Sequence, residues 1–348
     1  MDAITLRTLT DGGQTSGSVA ALVAGFVREA RTTLDLAQYD FHLLPESAAV
    51  VGGAIREAAA RGVAVRFLYN VDHRDPIPVP PPPEPDVQLI ASLGVPARAI
   101  AGVPDLMHHK YVVRDGADVW TGSANWTDES WSRQENVLLT IRSRELAKQF
   151  TANFDELWTR GIVESSGFGN PEPVQLGSTR ARAWFCPGHG EELSFRIGRR
   201  IGCARRRVRI CSPVITAAPV LAALAQAASE QRIELGGCVD APQMHGVVHQ
   251  WSENGNISWK LPLLRRALQR GFSGKRSTPW EPEGSLHDFM HAKVTVCDDT
   301  VFVGSFNLSR SGEQNAENVV ELEDAALADR MAAFVESVSA LYPPVELG

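Results

Sequence analysis

Apolar residues recur along this chain with two alternating periods. Val19, Leu22, Val23, Phe26 and Val27 share one face at helical spacing. Residues 34–39 alternate as a strand does. A second helix is predicted over 48–61, closed by Gly62 at a C-cap position, and 63–68 reads as a buried strand. The order returns later: helix over 191–205, strand over 207–211, helix over 218–230, strand over 233–235. Amphipathic helices over 144–158 and 325–341 close the two series. Strands alternating with helices predict parallel sheets flanked by helices, one sheet per half.

Between the halves, residues 163–178 carry turn and linker chemistry (Glu-Ser-Ser-Gly-Phe-Gly-Asn-Pro-Glu-Pro). The division is therefore placed at 1–165 and 181–348, with 166–180 as linker. Two segments break the repeat. The proline-rich stretch 76–85 excludes a helix or strand interior and predicts a stiff loop. Residues 240–288 read as an insertion, with Trp251, Trp259, Phe272 and Trp280 among Lys260, Arg265, Arg266, Arg270, Lys275 and Arg276. Such residues suit base stacking and phosphate tracking, a membrane interface, or a solvated helical segment equally.

Within this frame a string of polar residues occurs twice. His108, Lys110 and Asp115 precede Gly122-Ser123-Ala-Asn125 and then Glu135-Asn136-Val137. His291, Lys293 and Asp298 precede Gly304-Ser305-Phe-Asn307 and then Glu317-Asn318-Val319. Both read His-x-Lys-x4-Asp, Gly-Ser-x-Asn, Glu-Asn-Val, offset by 183 residues at His and 182 at Asn and Glu. Alternate residues of a strand share a face, so each half presents one imidazole and one ammonium together, and Gly-Ser-x-Asn adds a hydroxyl and an amide. His109 falls on the opposite face as a neighbour. His245 and His249 have helical metal-ligand spacing but no evident third ligand, and no metal site is read.

Composition narrows the class. The 348 residues are 44% hydrophobic and 22% charged, which excludes long disorder and collagen and fits a two-domain folded protein. No apolar run approaches the ~18–20 residues of a membrane span, and no signal peptide is visible at the start. Five scattered cysteines, all in the second half, suggest reduced thiols and a cytoplasmic protein. The net charge of −7 argues against bulk electrostatic binding of nucleic acid.

Two facing sets of His, Lys and Asn suit phosphoryl transfer. Fixed cations and amides neutralise the non-bridging oxygens. One neutral imidazole can attack phosphorus while a protonated one supplies the leaving group's proton. No metal or other cofactor is called for.

The paired motifs resemble the HKD motifs of the phospholipase D superfamily, and the resemblance extends over most of the chain. It implies two similar α/β halves, each a mixed or parallel sheet flanked by helices, related by a pseudo-two-fold axis around one site. It implies a metal-independent phosphodiesterase working through a phosphohistidine, with His108 as nucleophile and His291 as general acid. Lys110, Lys293, Asn125 and Asn307 would hold the phosphate, Ser123 and Ser305 would assist in binding it, and Glu135 and Glu317 would orient the histidines. Asp115 and Asp298 would be structural, although the connection after Asp298 is one residue shorter and leaves its role, or that of Asp299, open. With both motifs in one chain, a monomer suffices. The expected substrate is a phosphodiester: nucleic acid first, phospholipid as the alternative, and a catalytically silent interaction protein last.

Overall fold

The computed structural model describes residues 3–71, 86–101, 105–278 and 287–347. The proline stretch 76–85 and Trp280 lie outside them. The first half runs β1 (Ile4–Leu9), α1 (Ser16–Arg28), β2 (Thr33–Gln38), β3 (Phe41–His42), α2 (Pro45–Ala60), β4 (Ala64–Val71), α3 (Val87–Ser92), β5 (Ala97–Ala101), β6 (Lys110–Arg114), β7 (Asp118–Gly122), β8 (Trp126–Thr127), α4 (Asp128–Ser132), β9 (Gln134–Arg142) and α5 (Arg144–Arg160). The second runs β10 (Pro173–Leu176), β11 (Thr179–Phe185), α6 (Gly190–Cys203), β12 (Arg207–Cys211), α7 (Ala218–Glu230), β13 (Glu234–Asp240), α8 (Ala241–Glu253), α9 (Leu261–Leu268), β14 (Phe272–Lys275), β15 (Phe289–Met290), β16 (Val294–Cys297), β17 (Thr300–Gly304), α10 (Arg310–Gln314), β18 (Asn318–Glu323) and α11 (Ala325–Ala340).

Each half builds the same sheet. The order β1-β9-β7-β6-β2-β4-β5 in the first matches β11-β18-β17-β16-β12-β13-β14 in the second. Only β2-β4-β5 and β12-β13-β14 run parallel, and the remaining pairs of these two series are antiparallel. The sheets are therefore mixed. The cause is local: β6–β7 and β16–β17 are joined by hairpins far too short for a crossover.

The segment read as an insertion also finds its place. β13, α8, α9 and β14 occupy the slot that β4, α3 and β5 fill in the first half, so 240–275 is an enlarged crossover of the repeat itself. Part of the expected linker is likewise a strand, since β10 pairs with β11.

Five layers result. Helices α1 and α2 cover the outer face of the first sheet through Val23, Val51 and Ile55. Helices α6, α7 and α9 cover the second through Ile197, Leu224 and Leu264. The inner faces of both sheets share one core with α5 and α11, where Val113 and Ile141 of one sheet join Phe150, Phe154, Met331 and Val335 and then Val320 and Leu322 of the other. Ser143 and Asp324 cap α5 and α11, accepting from the Leu146 and Leu327 amides. The halves also exchange backbone pairing. β15 pairs with Gln134 and Glu135 of β9, and Met107 bridges to Ala316.

The two motif aspartates are structural. Asp115, left-handed at φ 54°, accepts the backbone N–H groups of Arg31, Thr32 and Thr33, which fixes the entry to β2. Asp298, at φ 51°, does the same for Arg205, Arg206 and Arg207 before β12. The shorter second hairpin thus loses its residue after the aspartate, where the first has Gly116 at φ 55°. Asp299 pairs instead with Arg206 at the surface. Partial burial alone would raise these carboxyls, but the backbone donors outweigh it and hold both below their usual range.

Asp115→Ala and Asp298→Ala should each cost about 1–2 kcal/mol at neutral pH, read from urea unfolding. A carboxyl lowered by folding stabilises above its unfolded value of about 3.9 and loses that contribution as pH falls through its folded value. The gap between wild type and variant should therefore close in acid.

Candidate active site

Each histidine sits just before a central strand and is tied to the opposite half. His108 precedes β6, and its Nδ1 lies 2.8 Å from a Glu317 carboxylate oxygen. His291 precedes β16, and its Nδ1 lies 3.1 Å from Oδ1 of Asn136. Both histidines are 6% exposed, and both lysines beside them are buried. Lys110 Nζ donates to the His108 carbonyl at 2.9 Å and Lys293 Nζ to the His291 carbonyl at 2.8 Å. The two sets meet electrostatically, since each imidazole feels both ammonium groups.

The acceptors beneath the histidines are not the pair that the sequence repeat suggests. Ser123 N–H donates to the Val137 carbonyl, and Ser305 N–H to that of Asn318. Gly122 stands opposite Leu138, and Gly304 opposite Val319. A Cβ on Gly122 would meet the Val137 oxygen at 2.1 Å, and one on Gly304 the Asn318 oxygen at 2.0 Å, so both ladders close against glycine at this spot. Val137 is thus equivalent to Asn318, and Asn136 to Glu317. The two Glu-Asn-Val strings align as text but sit one residue out of register in the fold, because β9 gains one residue after α4. The offset walks from 183 to 182 to 181 along the motif.

This slip corrects the expected role of Glu135. Its carboxylate turns away from His291 and accepts from Lys275 Nζ at 3.0 Å and from the Tyr342 hydroxyl. Lys275 also pairs with Asp11 at 3.1 Å and is itself buried. The serines likewise differ from expectation. Ser123 Oγ donates to Asn136 Oδ1 at 2.7 Å and Ser305 Oγ to Glu317, while each accepts the N–H of the residue after that partner. Fully buried and bonded on both sides, they hold the histidines' acceptors and offer nothing to a substrate.

Asn125 and Asn307 lie in the turns after β7 and β17 at the same positions in each half. Their buried Oδ1 atoms have no hydrogen-bond partner among the described residues. His109 is on the far face as expected, packed 4.9 Å from Tyr111 and bonded to Asn318 Oδ1 at 3.3 Å. Burial drives its pKa down to about 3. Sequence reasoning missed two aromatic contacts. Tyr39, at the end of β2, packs its ring edge-on 4.5 Å from His108 and lies 4.7 Å beneath Lys110 Nζ. Phe289 packs 5.4 Å from His291.

Burial dominates the electrostatics. It holds both imidazolium forms well below the ordinary histidine range, with Lys110 and Lys293 adding to the effect. It lowers Lys110 to about 7 and raises Glu317 to about 7. Both imidazoles are therefore biased toward the neutral form in the free protein. With Nδ1 occupied, Nε2 is the nitrogen left for chemistry on each ring.

Comparison with known proteins identifies the family. The family model described as cardiolipin synthase, PLD-like domain, matches residues 24–158 and 197–338, one match around each motif. The chain belongs to the phospholipase D-like family. Human mitochondrial cardiolipin hydrolase is 30% identical over 164 residues, covering 44% of this chain and 60% of that protein. The chain thus matches little more than half the length of this curated relative. Among solved structures, phosphatidylserine synthase of Haemophilus influenzae superposes over 97% of this chain and 86% of its own, with a TM-score of 0.65 at 12% identity. Polyphosphate kinase of Porphyromonas gingivalis covers 96% of this chain and 50% of its own, at 0.57 and 13%. At such identities these two structures establish the shared phospholipase D-like fold.

Because Glu135 and Lys275 form a buried ion pair, removing one charge strands the other. Lys275→Met should destabilise the protein by about 3 kcal/mol or more in denaturant unfolding. Adding Glu135→Gln to it should restore much of the loss.

Proposed function

We propose that this protein is a phosphodiesterase that passes its substrate's phosphoryl group through His108. The observation that carries this reading is the reciprocal tethering: two buried imidazoles, each fixed at Nδ1 by the other half and each within the field of both lysine ammonium groups. His108 Nε2 attacks phosphorus as the bond from phosphorus to the leaving oxygen breaks. His291, protonated on Nε2, passes that proton to the departing oxygen. Water then attacks the phosphohistidine, its proton goes to His291 Nε2, and the Nε2–P bond breaks to restore neutral His108. The assignment of His108 as nucleophile is supported by Glu317, whose carboxylate compensates the positive charge on the phosphorylated ring. Lys110, Lys293, Asn125 and Asn307 neutralise and orient the non-bridging oxygens.

The substrate favoured by this reading is a phospholipid. The matching family description and the human relative both name cardiolipin, and one of the solved structures that superpose over nearly the whole chain is a phosphatidylserine synthase. The basic and aromatic segment that spoke for nucleic acid is less open than its sequence suggests. Trp251 and Phe272 are core residues, Lys275 is buried in its ion pairs, and Trp259 is the one exposed tryptophan among the described residues. No helix among the described residues is long and apolar enough to cross a membrane.

Vesicles of cardiolipin or phosphatidylcholine, single- and double-stranded DNA, and RNA should be offered side by side in EDTA. Lipid cleavage is the expected result, and cleavage of nucleic acid alone would overturn the substrate assignment. Loss of turnover in chelator, restored by one divalent ion, would overturn the metal-independent route. His108→Ala should abolish both turnover and acid-quenched phosphoprotein. His291→Ala should still form the intermediate from a nitrophenyl diester, whose leaving group needs no proton, while losing ~10²–10⁴-fold on an alkoxide leaving group.

A further inference from the structure

The register slip gives the two histidines chemically different supports. Glu317 and Asn136 hold equivalent ladder positions, and each accepts from one histidine Nδ1 and one serine hydroxyl. One acceptor is a carboxylate and the other a neutral amide. The amide is itself locked, because Asn136 Nδ2 donates to the Ser130 carbonyl at 3.0 Å and to the Ser130 hydroxyl at 3.2 Å. Its oxygen therefore faces His291 and fixes Nδ1 as the protonated nitrogen.

Among the described residues, the groups around His291 add no compensating anion. Lys293 just before β16, Lys110 on β6, His108 and His287 all oppose its positive charge. The nearest acids are engaged elsewhere. Glu135 on β9 is held by Lys275, and Asp288 lies 3.8 Å from the same ammonium. Asp240 caps α8 through the Gln243 amide and accepts the Met290 N–H. Glu317 serves His108.

We propose that Asn136 is a positioning residue that orients His291 while withholding the negative charge its imidazolium would need, so that His291 takes up its proton only against the bound anionic phosphodiester. This inference rests on the phosphodiesterase reading and deepens it. The site then distinguishes its two histidines by their supports: a carboxylate behind the ring that must become positive by bonding to phosphorus, an amide behind the ring that must give a proton away. A donor lacking a carboxylate behind it is the stronger acid toward an alkoxide, and the substrate's own charge supplies what the protein omits.

The test is Asn136→Asp, read by the pH dependence of kcat/KM on a diester with an alkoxide leaving group and by ¹⁵N chemical shifts of the histidine rings. The alkaline limb should move upward by at least about one pH unit, about tenfold more rate at a fixed pH on that limb. For a nitrophenyl diester, the rate of forming the phosphoprotein should show no such shift. The His291 ring should titrate at higher pH in the variant, and inorganic phosphate should produce a like rise in the wild type. A limb and a ring titration unmoved in a folded variant would overturn the proposal. The variant loses the Ser130 bonds, so Asn136→Ala serves beside it: it should lower turnover without moving the limb upward, and an upward move there would also overturn the proposal. If the variant cannot be folded, the phosphate-induced rise in wild-type His291 decides alone. The ring titrations need no turnover, so a chain inactive on every diester would refute the phosphodiesterase reading while the NMR result still judged the role of Asn136.

Discussion

Each histidine of this protein is useless without the opposite half. The Nδ1 bond from His108 reaches Glu317, and that from His291 reaches Asn136, so the tautomer and aim of each ring are fixed across the boundary between the sheets. This requirement explains the architecture around it. The sheets must sit at one separation and one angle, and the shared core of α5 and α11 provides both. Most binding sites between domains lie across a polar, movable interface. Here the boundary is filled with Phe150, Phe154, Met331 and Val335, and the polar residues are gathered at one end, where the strands stop.

Much of this was legible in the sequence because it repeats. The helices over 48–61, 191–205 and 218–230 follow from apolar spacing, and the fold shows them as α2, α6 and α7 within a few residues. The histidines, lysines and asparagines could be placed together because each motif is half of one inventory. What could not be read was the direction of the strands from one edge of each sheet through its centre, since alternation of apolar residues looks alike in parallel and antiparallel strands. The enlarged crossover at 240–275 looked like an insertion for a related reason. The described residues of its counterpart in the first half hold only the short α3 to align with it.

The instructive failure is Glu135. As text, Glu-Asn-Val repeats perfectly, and the match invites equal roles for both glutamates. In a strand, a displacement of one residue sends a side chain to the other face. Glu135 is thereby removed from the site and Asn136 brought into it. The buried carboxylate then needs a partner, and Lys275 of the enlarged crossover, with Tyr342 beyond α11, provides it. The serines were misjudged for a different reason. Their motif position is shared, but the ladder turns both hydroxyls inward to the acceptors and away from any ligand.

The exchange of backbone pairing between halves carries a mechanical consequence. β15 adds to β9 of the other half, while Met107 bridges to Ala316 and His108 N–H donates to the Ala316 carbonyl. The halves cannot part as jaws do without breaking these bonds and wetting the common core. Opening the site by parting the halves therefore carries the cost of the shared core and of these backbone bonds together.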